Sequence, residues 1–164
     1  MKSGVLLIGE GPGENEDATG VPFVGRAGKL LDAILGACGF LREDIYITNI
    51  VKCRPPGNRD PRPEEVNACR PWLDRQIQLL EPKLIVAIGR PAAVSLLRSN
   101  RNLKDLRNKT HSLNQVPLIV TYHPAYLLRS PGMKKAAWED WKNVIRTASI
   151  SEAADVEITG STIS

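Results

Sequence analysis

A chain of 164 residues, 42% hydrophobic and 24% charged, has the length and balance of one globular domain. No run approaches the roughly 20 apolar residues that a bilayer span needs, Met1-Lys2-Ser3-Gly4 shows no charged-then-apolar leader, and three cysteines make no secreted disulfide framework. The expectation is a protein of a reducing cytoplasm with no membrane partner. The formal charge of +4 becomes +7 once the last fourteen residues, with Glu152, Asp155 and Glu157 and no cation, are set aside; a basic body favours an anionic partner such as nucleic acid.

Short apolar runs alternate with helical periodicity along the chain, which predicts an α/β fold. Val5-Leu6-Leu7-Ile8, continuous and ended by glycine, reads as a buried parallel strand. Leu30, Leu31, Ile34 and Leu35, spaced three and four apart between Gly28 and Gly36, predict an amphipathic helix. Asp44 to Asn49 is the second strand, and the Pro-, Gly- and Asn-rich run from Arg54 to Pro63 is a loop. Pro63-Glu64-Glu65 opens a helix to about Leu80, with proline in its first turn and acids at the positive end of the dipole. Leu84 to Ile88 is the third strand, Pro91 to Leu97 a helix, Val116 to Thr121 the fourth strand and Trp138 to Thr147 the last helix. The architecture expected is α/β, a four-stranded parallel-type sheet flanked by helices, over residues 1–148, followed by a flexible acidic tail over 149–164.

In open α/β sheets the ligand crevice lies beyond the carboxyl ends of the strands. Those ends carry Gly9-Glu10-Gly11-Pro12-Gly13, Thr48-Asn49, Gly89-Arg90 and Tyr122-His123-Pro124. A carboxylate, an amide and an imidazole are thereby expected at one rim. The glycine loop matches neither G-x-G-x-x-G nor the P-loop. Pro12 removes a backbone donor, and Glu10 sets a negative charge where phosphates would sit, so a triphosphate reading is disfavoured.

The same residues resemble a known family. Gly9 to Asp17, continued by Thr19-Gly20-Val21-Pro22-Phe23-Val24-Gly25-Arg26-Ala27-Gly28, is similar to the first motif region of the family-4 uracil-DNA glycosylases. Ile47 to Pro56 resembles that family's next block, and His123-Pro124-Ala125-Tyr126-Leu127-Leu128-Arg129 its C-terminal motif. Order and spacing agree from residue 5 to about 147. The resemblance implies a monomeric enzyme that hydrolyses the N-glycosidic bond of deoxyuridine in DNA, releasing uracil and leaving an abasic site. Glu10 is then the catalytic carboxylate and His123 the catalytic imidazole, donating to uracil O2 as charge grows on the departing base. Phe23 is the stacking platform, Asn49 the reader of O4 and N3–H, and Gly11 gives close backbone approach at the base. Gly13, Leu127, Leu128, Arg129, Lys134 and Lys135 fall on the DNA side, with the leucines as a wedge at the unstacked step. Arg98, Arg101, Lys104, Arg107 and Lys109 form a second basic cluster, read either as phosphate neutralisers or as a solvated face. His111 has no motif around it and reads as a surface residue.

The pattern departs from the family at its cofactor. The family's [4Fe–4S] cluster takes four cysteines, two of them ahead of the first strand; only Cys53 and Cys69 match here, and Cys38 reads as a small core residue. Two thiolates do not complete a cluster, so the expectation is an incomplete ligand set. Ala125 stands where the best-known branch has Ser, and no histidine follows the second block, which argues against the covalent uracil-trapping chemistry of a related branch. The alternative function is a catalytically weak or inactive glycosylase-fold module that binds uracil or DNA within a larger repair or replication assembly.

Overall fold

The computed structural model describes residues 3–12 and 14–160. Five strands, β1 (Val5–Gly9), β2 (Tyr46–Asn49), β3 (Leu84–Ile88), β4 (Thr110–Leu113) and β5 (Val116–Thr121), form one sheet in the order β2-β1-β3-β5-β4. The first four in space are parallel, and the central β1 and β3 are unbroken apolar runs buried on both faces, as such sheets require. Registers such as Gly9↔Asn49 and Ile88↔Thr121 bring the carboxyl ends of these strands level.

Helices cover both faces. On one side Leu31 and Leu35 of α2 (Arg26–Ala37) and Trp141 and Val144 of α7 (Lys134–Gly160) pack on Val5, Leu7, Val86 and Ile119. On the other, Leu73 and Ile77 of α3 (Pro63–Leu80), Ala92, Ala93 and Leu96 of α4 (Arg90–Leu97) and Leu106 of α5 (Leu103–Leu106) meet Leu6, Ile8, Ile85 and Val120. Two short helices, α1 (Glu14–Thr19) and α6 (Pro124–Arg129), sit at the strand-end rim. Because β1 has β2 on one side and β3 on the other, the strand order reverses at β1, and that switch point is where such sheets open a crevice.

Two expectations change. The sheet has five strands rather than four: Thr110–Leu113 pairs antiparallel with β5 as an edge. Its alternating exposed and half-buried pattern carries little apolar signal, and the tight turn to β5 runs through Asn114 and Gln115, both at positive φ, without the glycine that marks such turns. The last helix also runs from Lys134 to Gly160 rather than from Trp138 to Thr147; no proline interrupts it, and its alanines and charged residues sustain helix as well as they suit a tail. Among the described residues no helix is long and apolar enough to cross a membrane.

Candidate active site

The rim is built on glycines that admit their neighbours. A methyl group on Gly9 would lie 2.7 Å from Asn49 Oδ1 and 2.9 Å from Phe23 Cζ, so the end of β1, the amide of β2 and the aromatic ring meet at that point. A methyl on Gly11 would stand 2.7 Å from Val51 Cγ2. On the far side, a methyl on Gly89 would sit 3.3 Å from His123 Cβ, while the His123 ring faces Phe23 with centroids 5.5 Å apart and planes inclined by 30°. Glu10 follows Gly9 directly, and its carbonyl accepts from Val51 N at 3.0 Å. Phe23, Asn49 and His123 therefore meet around Gly9 and Gly89 at one rim, with Glu10 next to Gly9 at the end of β1. Gly13 lies outside the described residues.

Phe23 occupies the left-handed backbone region at φ 54°, an unfavourable conformation for a bulky residue. The surroundings hold it there. Its carbonyl presses on Gly28, where any Cβ would come within 1.9 Å of that oxygen. Arg42 Nη1 donates to the same carbonyl at 3.0 Å and to Asp32 Oδ1 at 2.6 Å, and Nη2 donates to the Pro22 carbonyl. Glu16 Oε1 accepts from Val24 N at 2.9 Å, fixing the next peptide. Arg42 and Glu16 are functional supports that sequence reasoning missed. Glu16 falls inside the quoted first motif, whereas nothing local marks Arg42.

Asn49 is 8% exposed, and its Oδ1 is, among the described residues, the one buried side-chain polar atom without a hydrogen-bond partner. Leaving such an acceptor unpaired costs about 1–3 kcal/mol, and an orphan of this kind in a crevice points to a ligand donor. The residue is held from behind: Lys52 Nζ donates to the Asn49 carbonyl at 2.8 Å, to Thr48 Oγ1 at 2.5 Å and to Gln76 Oε1 at 2.6 Å. That triad ties the end of β2 to α3, and burial lowers the Lys52 pKa. Beside it a cleft of about 250 Å3 runs past Pro12, Pro22, Asn49 and Val51.

The imidazole has a fixed tautomer. His123 caps α6, its Nδ1 accepting from Ala125 N at 3.0 Å, so the ring proton of the neutral form resides on Nε2. Burial, reinforced by the Arg129 charge, lowers its pKa to about 4, and the ring is neutral at physiological pH. Glu10 moves the other way. Burial, followed by the charge and hydrogen bond of Asp60, raises its carboxyl to about 7. The loop residue Asp60, fifty positions from Glu10, is a second group that the sequence reading missed.

The predicted DNA side is divided. Leu127 is 1% exposed: the short α6 turns that side chain into the protein, leaving Leu128 half-buried and Arg129 exposed. Lys134 and Lys135 are exposed at the start of α7. Arg107 is not a phosphate ligand. It is 6% exposed and forms a two-pronged ion pair with Asp140 at 2.7 and 3.0 Å, with further donation to Tyr122 Oη at 3.1 Å and the Ala136 carbonyl at 3.1 Å. Arg98, Arg101, Lys104 and Lys109 are exposed. His111 is half-buried on β4, its Nε2 lying 2.8 Å from the Leu106 carbonyl.

Cys53 is exposed in the loop after β2, Cys69 is half-buried on α3, and Cys38 packs against the core at the end of α2, where burial raises its thiol to about 11. Among the described residues no three His, Cys, Asp or Glu side chains are placed to hold a metal ion. This donor set does not fit a four-thiolate cluster.

The profile of the uracil DNA glycosylase superfamily matches residues 1–142. A type-4 uracil-DNA glycosylase of Pyrobaculum aerophilum is 46% identical over 142 residues, covering 82% of this chain and 72% of that protein. A type-4 enzyme of Thermotoga maritima is 48% identical over 128 residues, covering 77% and 67%. A DNA polymerase of Bacillus phage SP01 is 28% identical over 131 residues, covering 79% of this chain and 14% of its own length. With the rim geometry and these likenesses together, the chain belongs to the uracil DNA glycosylase superfamily, in its type-4 family.

Proposed function

We propose that the chain is a uracil-DNA glycosylase, a hydrolase of base excision repair, that breaks the N-glycosidic bond of deoxyuridine in DNA. The observation that carries the reading is the meeting of Phe23, Asn49 and His123 at the strand-end rim beside Glu10, with the Asn49 acceptor unpaired. A base in the stack is out of reach, so the nucleotide is extruded first. Phe23 then stacks on the pyrimidine. Asn49 Oδ1 accepts from uracil N3–H and its amide donates to O4; cytosine, with an acceptor at N3 and a donor at position 4, reverses both demands and is rejected.

As the C1′–N1 bond breaks, its electron pair passes to the base and negative charge gathers on uracil O2. The neutral His123 donates to that oxygen from Nε2, a preorganised donor aimed at developing charge. Ionised Glu10 faces the positive charge growing on the sugar and orients the water that adds its hydroxyl at C1′. The proton from that water ends on the departing base, so free uracil and an abasic sugar are the products. Arg129, Lys134 and Lys135 meet phosphates, Leu128 presses on the vacated step, and Gly11 keeps the backbone close to the base.

The test is release of free uracil from an oligonucleotide holding one deoxyuridine, with matched thymine and cytosine strands beside it. Release from the uracil strand alone is expected. Uracil-dependent binding with no release after prolonged incubation contradicts the enzyme reading and favours a binding module.

A further inference from the structure

A cleft of about 780 Å3 opens between α3 and α4, beside the crevice rather than within it. Arg70, Arg90 and Arg98 stand on its walls against one carboxylate, Asp60. Arg70 is a strut: Nε donates to Asp74 at 2.8 Å and Nη1 to the Ser95 carbonyl at 3.0 Å, spanning α3 to α4 with its charge already matched. The other two are available. Arg90 is exposed, and among the described residues its guanidinium hydrogen-bonds the Asn100 carbonyl alone, at 3.3 Å. Arg98 caps α4 in the left-handed region at φ 50°, exposed, and its guanidinium makes no hydrogen bond or ion pair among the described residues.

The cleft joins the crevice at two corners. Arg90 follows Gly89, which lies against His123, and Asp60 faces both the cleft and Glu10. A ligand leaving the crevice on this side meets the two unmatched guanidinium forks, groups whose geometry suits phosphate oxygens. Val66 and Val94 beneath them offer apolar contact of the kind a sugar edge uses. The exposed Arg129, Lys134 and Lys135 stand on α6 and α7, and α7 packs on the opposite face of the sheet, so cations flank the rim on both sides.

We propose that the α3–α4 cleft holds the phosphodiester backbone of DNA next to the extruded nucleotide, with Arg90 and Arg98 as its phosphate ligands; this rests on the glycosylase reading above. The strand then crosses the sheet edge from one helical layer to the other, its extruded base at the middle of the path.

The experiment measures affinity of the full chain for a uracil-free duplex across a sodium chloride series, by fluorescence anisotropy. It compares wild type with Arg90→Gln, Arg98→Gln, the double variant, and Arg75→Gln on the exposed side of α3 as a charge-matched control. Each cleft substitution is expected to lower the log–log salt slope by about 0.9 and the pair by about 2, with the control unchanged. The double variant is expected to need more uracil-containing DNA for half-maximal release, a raised apparent KM that Arg75→Gln does not share. A double-variant slope equal to wild type, or a slope that Arg75→Gln lowers equally, overturns the proposal. Should Arg90→Gln fail to fold, Arg98→Glu at the exposed cap decides the matter by the same slope. A wild type that binds DNA through the cleft yet releases no uracil sinks the glycosylase reading alone; robust release with an unaltered slope sinks the cleft alone.

Discussion

The Phe23 and His123 rings face one another across 5.5 Å, and Gly9 abuts the Phe23 edge so closely that a single methyl would reach both that ring and the Asn49 amide. Gly9→Ala is therefore expected to displace the platform and the reader together. Overpacking of this sort costs about 1–3 kcal/mol, so the variant folds with a lowered melting temperature. Its uracil release should fall by a factor of roughly 100 or more, since small displacements at a reacting geometry cost rates of that order. Parallel thermal melts and release assays check both halves.

Asn49→Leu separates stability from function. The substitution removes a buried acceptor that has no partner in the free protein, so unfolding free energy should stay level or rise by about 1 kcal/mol. Uracil release should drop by at least roughly 100-fold, because nothing remains to pair with N3–H and O4. A denaturant titration beside the release assay reads the two effects.

The pH dependence has a definite sign. Only ionised Glu10 performs the proposed role, so release should climb as pH rises through about 7 and level off above it. Asp60→Asn removes a neighbouring charge and should move that limb to lower pH. Stability runs the other way: a carboxyl raised from 4.5 to about 7 favours the protonated folded state, so its stabilisation is present below pH 4.5 and is lost as pH rises through 7. Glu10→Gln should accordingly be more stable than wild type at pH 8 by roughly 1–2 kcal/mol after solvent screening, and equal to it at pH 4. Neutral His123 contributes no limb above about pH 5.

Arg107 anchors the strand end that carries His123, through Asp140, which also accepts from Thr121 Oγ1 at 2.9 Å, and through Tyr122. Arg107→Met leaves the Asp140 carboxylate buried without its cation, which should destabilise the protein by about 3–5 kcal/mol. Adding Asp140→Leu should restore much of that loss in a chemical-denaturation midpoint.

The parallel strands were legible because β1 and β3 are unbroken apolar runs ended by glycine and β2 and β5 are β-branched segments ended by polar residues, and the strand-end rule then drew attention to Glu10, Asn49 and His123. The edge strand through His111 escaped because an exposed strand needs no apolar run. The length of α7 escaped because alanine and acidic residues fit a helix and a tail alike. Contacts made only by folding were the least visible: Arg42 beneath Phe23, Asp60 beside Glu10 and Asp140 under Arg107 lie from nineteen to fifty residues from their partners. Leu127, taken from the C-terminal motif, and Arg107, taken for its charge, are both buried, because burial depends on which way each element turns its side chains.

The most direct test is single-turnover uracil release by wild type, Glu10→Ala and His123→Ala on one oligonucleotide, with melting curves recorded on the same samples. Wild type should empty its substrate in the first turnover, while each variant, still folded, slows by a factor of roughly 100 or more. Folded variants that release uracil at the wild-type rate would contradict the account.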